Sequence, residues 1–204
     1  MKKTMAVTGI GAPLEVVKTE VPVPKGDQVL IKTTYGGLCH SDLHQIDGYF
    51  DLGNNAKLDM GKFRKLPFAV GHEIEGVVVA VGENAKGKVA VGQSYGIYPW
   101  GGCMNCGECN RGYENICSMP HVNDLGNGKN MEGGYSSHVL VPHFQYCFDK
   151  TGIPDGLAAT YMCAGLTGFS AIKKIGPPPN GPKDIVILGL GGVGMQGFQM
   201  AKAL

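Results

Sequence analysis

The first part of the chain alternates short apolar stretches with turn residues, a pattern that predicts strands. Residues 5 to 35 read this way. Val21-Pro22-Val23-Pro24 is extended, but its prolines bar it from a central strand. Lys25-Gly26-Asp27 is a turn into the strand Gln28-Val29-Leu30-Ile31-Lys32. The run from Glu75 to Gly82 is β-branched and turn-bounded, which predicts a buried strand. A second is expected near Lys88-Val89-Ala90-Val91-Gly92, and another over Ser136 to Val141. Two stretches lack periodicity: a polar, mixed-charge excursion over residues 51–66 and an irregular lobe over residues 101–130.

Beyond residue 150 the texture changes. Leu157 to Cys163 suits a short helix after Pro154-Asp155-Gly156, and Gly168 to Ile175 suits another, stopped by Gly176 and Pro177-Pro178-Pro179. Asp184-Ile185-Val186-Ile187-Leu188 reads as a strand, and Gly189 to Gly194 opens a helix. Strand, Gly-rich turn and helix are the first elements of a dinucleotide-binding sheet. The expected class is therefore α+β grading into α/β. One domain covers residues 1–150 with a lobe at 101–118, and a second begins in residues 151–204.

Composition sharpens this. Gly is 33 of 204 residues, about twice its usual share of roughly 7%, which favours tight turns and a β-rich first domain. A net charge of +1 carries no footprint of a nucleic-acid or acidic-membrane partner. No apolar run reaches the ~18–20 residues of a membrane helix. After Met1-Lys2-Lys3 the apolar region is broken by Thr8, Gly9, Gly11 and Pro13, so no secretory signal and a cytoplasmic location are expected. There the seven cysteines read as metal ligands in preference to disulfides.

Cys103, Cys106, Cys109 and Cys117 fall within fifteen residues, with gaps of two, two and seven. Such spacing lets four thiolates converge on one tetrahedral ion at about 2.3 Å each, with no position left for substrate. That predicts a structural zinc site. Two disulfides, unliganded core thiols or an iron–sulfur cluster are the other readings of the same spacing.

A second constellation is reactive. Cys39-His40-Ser41-Asp42-Leu43-His44 packs a thiol, two imidazoles, a hydroxyl and a carboxylate into six positions, and Gly71-His72-Glu73 and Cys163 follow. Two thiolates and one imidazole plus water are a known catalytic zinc set, with Asp42 and Glu73 candidates to orient the ligands. Singly, Cys39 and Cys163 read as core thiols and His72 as a structural histidine. Cys147, His143, His121 and His138 are left without a role. Gly189, Gly191 and Gly194 fit G-x-G-x-x-G directly after an expected strand, where helix N–H groups hold a pyrophosphate.

Taken in order, these motifs resemble the zinc-containing medium-chain alcohol dehydrogenases across essentially the whole chain. The resemblance implies a GroES-like β-barrel catalytic domain followed by the first strand and helix of a Rossmann domain. It implies two zinc ions per chain, the catalytic one on Cys39, His72 and Cys163 and the structural one on Cys103, Cys106, Cys109 and Cys117. Glu73 lies behind the catalytic zinc and Asp42 steadies His72. By the same resemblance Ser41 would take the alcohol proton and pass it through the cofactor ribose to His44. His40, Gly189, Gly191, Gly192, Val193 and Gly194 face the cofactor, NAD or NADP. The substrates implied are small alcohols, aldehydes or ketones, and the assembly a homo-oligomer, dimer or tetramer, when full length. Cys163 stands where related polyol dehydrogenases carry a carboxylate, which favours simple or cyclic alcohols. The interval from Cys39 to His72 is longer than in familiar members, with the excess at Gly53 to Arg64. A similar insert occurs in dehydrogenases of alicyclic hydroxy-acyl-CoA compounds. The acidic residue that selects NAD over NADP is expected about 20 residues beyond the turn, past Leu204. A non-catalytic zinc-binding fragment is the alternative to an enzyme.

Overall fold

The computed structural model describes residues 1–119, 123–128, 130–176 and 184–204. Three strands, β1 (Lys2–Val7), β2 (Glu15–Thr19) and β3 (Val29–Gly37), precede helix α1 (His40–Asp47). A hairpin follows, β4 (Tyr49–Gly53) and β5 (Ala56–Asp59), then β6 (Phe68–Ala69), β7 (Glu73–Val81) and β8 (Ser94–Ile97). The short helix α2 (Gly107–Asn110) lies in the lobe, before β9 (His138–Val141) and β10 (Cys147–Asp149). Helices α3 (Leu157–Thr160), α4 (Leu166–Ile175) and α5 (Gly192–Ala203) close the chain.

The strands form a three-stranded sheet in the order β2-β1-β6 and a five-stranded sheet in the order β10-β8-β7-β3-β9, joined by a bridge from Thr4 to Ser136. Between them Val29, Ile31, Ile74, Val78, Ile97, Val139 and Val141 are wholly buried. These are the apolar runs of the sequence, and they pack because β-branched side chains fit a pleated surface.

One register matters for everything that follows. β3 and β7 are antiparallel, and their ladder ends on the pair Gly37 and Glu73. Cys39 leaves β3 two residues past that pair, and His72 enters β7 one residue before it. A Cβ on Gly37 would lie 2.0 Å from Glu73 Oε2. Only glycine lets the buried carboxylate fold beneath the strand end.

Several expectations change. The strand near Lys88 to Gly92 is a turn instead, with Gly87 and Gly92 at positive φ, and the ladder partner of β7 is β8. Val89 is buried but serves as an anchor between two turns. The excursion over 51–66 contains the β4–β5 hairpin, whose turn residues Asn54 and Asn55 both have positive φ (50° and 62°). Two positive φ values match the twist of a tight hairpin. The two helices expected around 157–163 and 168–175 are one continuous helical rod, interrupted by a π-turn over Tyr161–Gly165. It stops at Gly176 (φ 70°); Pro177 to Pro179 and His121 lie outside the described residues.

The run 184–188 is not laddered among the described residues. Val186 and Leu188 are 82% and 94% exposed. A strand holds only against a neighbour, and no described strand is placed to flank it. Helix α5 nevertheless packs on α4 through glycines, because a Cβ on Gly168 would sit 2.8 Å from the Gly197 nitrogen. Among the described residues no helix is long and apolar enough to cross a membrane.

Candidate active site

The register of β3 and β7 brings Cys39 and His72 to one end of the barrel, and the π-turn carries Cys163 over them. The ligand atoms of these three residues all lie within 4.8 Å of one another. Cys39 Sγ is 4.0 Å from Cys163 Sγ, which is 3.3 Å from His72 Nε2. Bonds of about 2.3 Å to sulfur and 2.05 Å to nitrogen imply tetrahedral edges of about 3.8 Å for S···S and 3.6 Å for S···N. The trio therefore fits a zinc ion, and it leaves a fourth corner free. A π-turn bulges the helix outward at Cys163, a device common at functional sites.

Behind the ligands stands a buried polar group of unrelated segments. Asp42, fully buried on α1, contacts His72 Nδ1 through Oδ1 at 3.1 Å. The same oxygen accepts the Gly71 N–H at 2.9 Å, and Oδ2 accepts the Cys39 N–H and the Tyr135 hydroxyl. Burial lowers the His72 pKa, but the bond to Asp42 and the neighbouring Cys39 thiolate outweigh it and raise the value to about 9. The Cys163 thiol and His72 hydrogen-bond to Cys39, with Ser41 contributing, and hold it at about 3. Cys163 is pushed well above the ordinary thiol range, first by that same bond and then by burial. Two sulfurs and an imidazole converge at this spot, a donor set that suits a zinc ion. Glu73 is raised by burial and by the negative Cys39, and accepts a hydrogen bond from the Ala164 N–H.

Ser41 and His44 occupy one face of α1, three residues apart. His44 stacks at 4.9 Å on His40 and at 4.7 Å on Phe50. No hydrogen bond or ring contact joins His40 to the glycine turn among the described residues. In that turn Gly189 has φ +88°, and a Cβ on Gly194 would lie 1.9 Å from the Gly189 carbonyl. Gly191 caps α5, and Gly192, Val193 and Gly194 form its first turn. Gly191 and Gly192 are exposed at the N-terminus of α5, the end of a helix whose first N–H groups lack intrahelical partners and can meet an anion.

Cys103, Cys106, Cys109 and Cys117 also converge. Three of their sulfur separations, Cys103–Cys109, Cys106–Cys109 and Cys106–Cys117, run from 3.4 to 4.0 Å, which brackets the tetrahedral edge and is far too long for a disulfide. Backbone N–H groups of Cys103, Cys109 and Met119 point at these sulfurs. N–H groups of Cys109 and Ser118 lower Cys106 to about 5. At Cys103 and Cys106 the local chain favours the thiolate, while burial raises Cys109 to about 12.

Two neighbours of the open trio carried no sequence signal. Trp100 sits with its ring 5.2 Å from that of His72, and Tyr135 holds Asp42. Both reach the site only through the fold. A cavity of about 590 Å³ lies elsewhere, between the lobe and the helical rod, and neither Cys39, His72 nor Cys163 lines it.

A β-barrel with an open two-sulfur, one-imidazole cluster defines a class of domain suited to holding a metal ion. The family model "Alcohol dehydrogenase GroES-like domain" matches residues 25–155, and the chain belongs to that family. It is 37% identical over 205 residues to an NAD-dependent alcohol dehydrogenase of Sulfurisphaera tokodaii, with 99% of this chain and 56% of the relative covered. The chain thus spans about half the length of the curated relatives it matches. Its fold superimposes with a TM-score of 0.80, at 31% identity, on acetophenone reductase from Geotrichum candidum in complex with NAD, covering 99% of this chain and 55% of that one. The TM-score is 0.79, at 25% identity, to a cobalt- and zinc-bound thermostable alcohol dehydrogenase from Pyrobaculum aerophilum, covering 100% and 57%.

Proposed function

We propose that this protein is a zinc-dependent oxidoreductase that interconverts an alcohol with an aldehyde or ketone, exchanging hydride with NAD or NADP. The observation that carries the proposal is the open trio of Cys39, His72 and Cys163, braced by Asp42. Zinc at that position polarises an alcohol oxygen and lowers its pKa, and the nicotinamide supplies the hydride chemistry.

The chain's own residues then do the following. Asp42 fixes the His72 ring so that Nε2 faces the two sulfurs. Glu73 lies beneath, at the end of the β3–β7 ladder opposite Gly37, and accepts the Ala164 N–H. Ser41, hydrogen-bonded beside Cys39, accepts the alcohol proton. His44, on the same helix face, takes it onward. Gly189, Gly191, Gly192, Val193 and Gly194, with His40, would hold the cofactor pyrophosphate. Cys103, Cys106, Cys109 and Cys117 would hold a second, structural zinc. A domain division near residue 150, a cytoplasmic location and a dimeric or tetrameric assembly belong to the same reading.

Support comes from the relatives, an NAD-dependent alcohol dehydrogenase and a zinc-bound one among them. The test is NAD(P)-linked oxidation of primary, secondary and cyclic alcohols by zinc-loaded protein expressed from its own reading frame. No turnover with any alcohol, in either cofactor, would overturn the proposal. Residues 1–204 produced alone are expected to bind zinc with little turnover, because the glycine turn follows an unladdered segment. Near-attack positioning accounts for about 7–11 kcal/mol of barrier lowering in such reactions.

A further inference from the structure

Glu75 is 1% exposed and stands on β7 three residues after His72. Both of its carboxylate oxygens are in use. Oε1 accepts from Lys150 Nζ at 2.6 Å, and Oε2 accepts from the Gly156 N–H at 3.0 Å. Lys150 also donates to Asp155 at 2.5 Å. One interior carboxylate thus ties both ends of segment 150–156, which carries the chain from β10 to α3. Gly156 has φ +83°, and a Cβ there would come within 3.3 Å of the Tyr35 ring on β3. The start of the helical rod is pinned to two barrel strands.

Cys163 follows Gly156 by two helical turns, about 10 Å along the axis. On its far side the Ala164 N–H is held by Glu73. The sulfur is therefore braced upstream by Glu75 and downstream by Glu73, both on the strand that follows His72. A buried ion pair adds little net stability compared with a well-packed apolar replacement. What it does is hold a geometry.

We propose that Glu75, acting with Lys150, is a positioning residue for the open metal site. It sets where Cys163 stands relative to His72, two ligands that are 91 residues apart. This rests on the reading of Cys39, His72 and Cys163 as zinc ligands, and the experiment separates the two ideas.

Zinc-loaded protein is competed with the chromophoric chelator 4-(2-pyridylazo)resorcinol, and wild type is expected to release one zinc readily and a second slowly. Glu75→Gln should weaken the readily released zinc by about 10–100-fold and leave the slow one within about twofold. Cobalt placed at the released position should show shifted visible ligand-field bands in Glu75→Gln. A merely structural role would lower the melting temperature without moving the bands or the affinity. Lys150→Arg should retain most of the affinity, because the cation is kept. If Glu75→Gln does not fold, the double variant Glu75→Gln/Lys150→Met replaces the pair with neutral groups and is read in the same way. Unchanged affinity and unchanged cobalt bands would overturn the inference. Retention of two zinc ions by Cys163→Ser would instead overturn the metal reading beneath it.

Discussion

The four-cysteine lobe and the Cys39/His72/Cys163 site share a ligand chemistry and are assembled in opposite ways. The lobe draws four sulfurs from residues 103–117, and backbone N–H groups of the same loop hydrogen-bond to them. The other site draws three ligands from residues 39, 72 and 163, and side chains from remote segments orient them. Asp42 steadies His72, and Tyr135 steadies Asp42. In the lobe a few turns bring four sulfurs together and would leave a bound ion no open position. In the open site the whole barrel is needed to bring the ligands together, and a corner stays free. Local construction suits a staple; distributed construction suits a site whose ligands must be tuned by their surroundings.

The largest effect is expected in the staple. Cys106→Ser should reduce bound zinc from about two ions per chain to about one and unfold the lobe, since structural zinc binding is worth on the order of 10–16 kcal/mol. Elemental analysis together with hydrogen exchange over residues 101–119 checks this. Two retained zinc ions and unchanged protection would erase the contrast between the sites. Cys163→Ser should also cost one zinc, from the open site, but leave the melting temperature near that of the parent protein.

Next come Ser41 and His44, the residues proposed to transfer the proton. Ser41→Ala and His44→Gln, in protein made from its own reading frame, should slow alcohol oxidation by about 10²–10⁴-fold. The loss should be greatest at low pH, with zinc content intact. Rates equal to wild type across the pH range would remove both residues from the mechanism.

A third cysteine environment sharpens the comparison, because it is a thiol kept from ionising. Burial pushes Cys147 from its ordinary 9.0 up to about 12. The folded state holds this proton more tightly than the unfolded chain does. Its stabilising contribution is therefore complete below pH 9 and is lost as pH rises from 9 toward 12. At about 1.4 kcal/mol per pH unit, roughly 3 kcal/mol should disappear by pH 11. Cys147→Val should flatten that alkaline decline when urea unfolding is compared at pH 8 and pH 11. Parallel declines in both proteins would show that Cys147 does not carry it.

The smallest expected change is at the outer support of the open site. Tyr135→Phe deletes the hydroxyl that donates to Asp42 at 3.0 Å. Zinc affinity of the open site should fall by about tenfold, the lower end for a supporting residue, while the lobe is untouched. Equal losses at both sites, read by chelator competition, would mean a global effect of the variant.

The two sites also differ in how far they could be read from the chain. Cys103, Cys106, Cys109 and Cys117 announce themselves by spacing, because the geometry that joins them spans only a few turns. The strands with β-branched runs, such as Glu73–Val81, were equally plain, since burial on a pleated sheet selects those residues. Cys39, His72 and Cys163 were legible only as an ordered set of motifs. Nothing local in Cys163 says that a π-turn will swing its sulfur to within 3.3 Å of His72.

What the sequence by itself determined was the inventory and the local geometry: which thiols cluster, where glycine permits left-handed turns, and which runs must be buried. The tertiary structure alone decided the rest. It turned the expected strand at 88–92 into an anchored turn, because β7 pairs with Ser94–Ile97. It left 184–188 unladdered for want of a neighbouring strand. Above all it set the β3–β7 register that ends on Gly37 and Glu73, which places Cys39 beside His72, and the Glu75–Lys150 tie at the start of the helix bearing Cys163. Such long-range pairings depend on the packing of the whole barrel, and no window of sequence contains them.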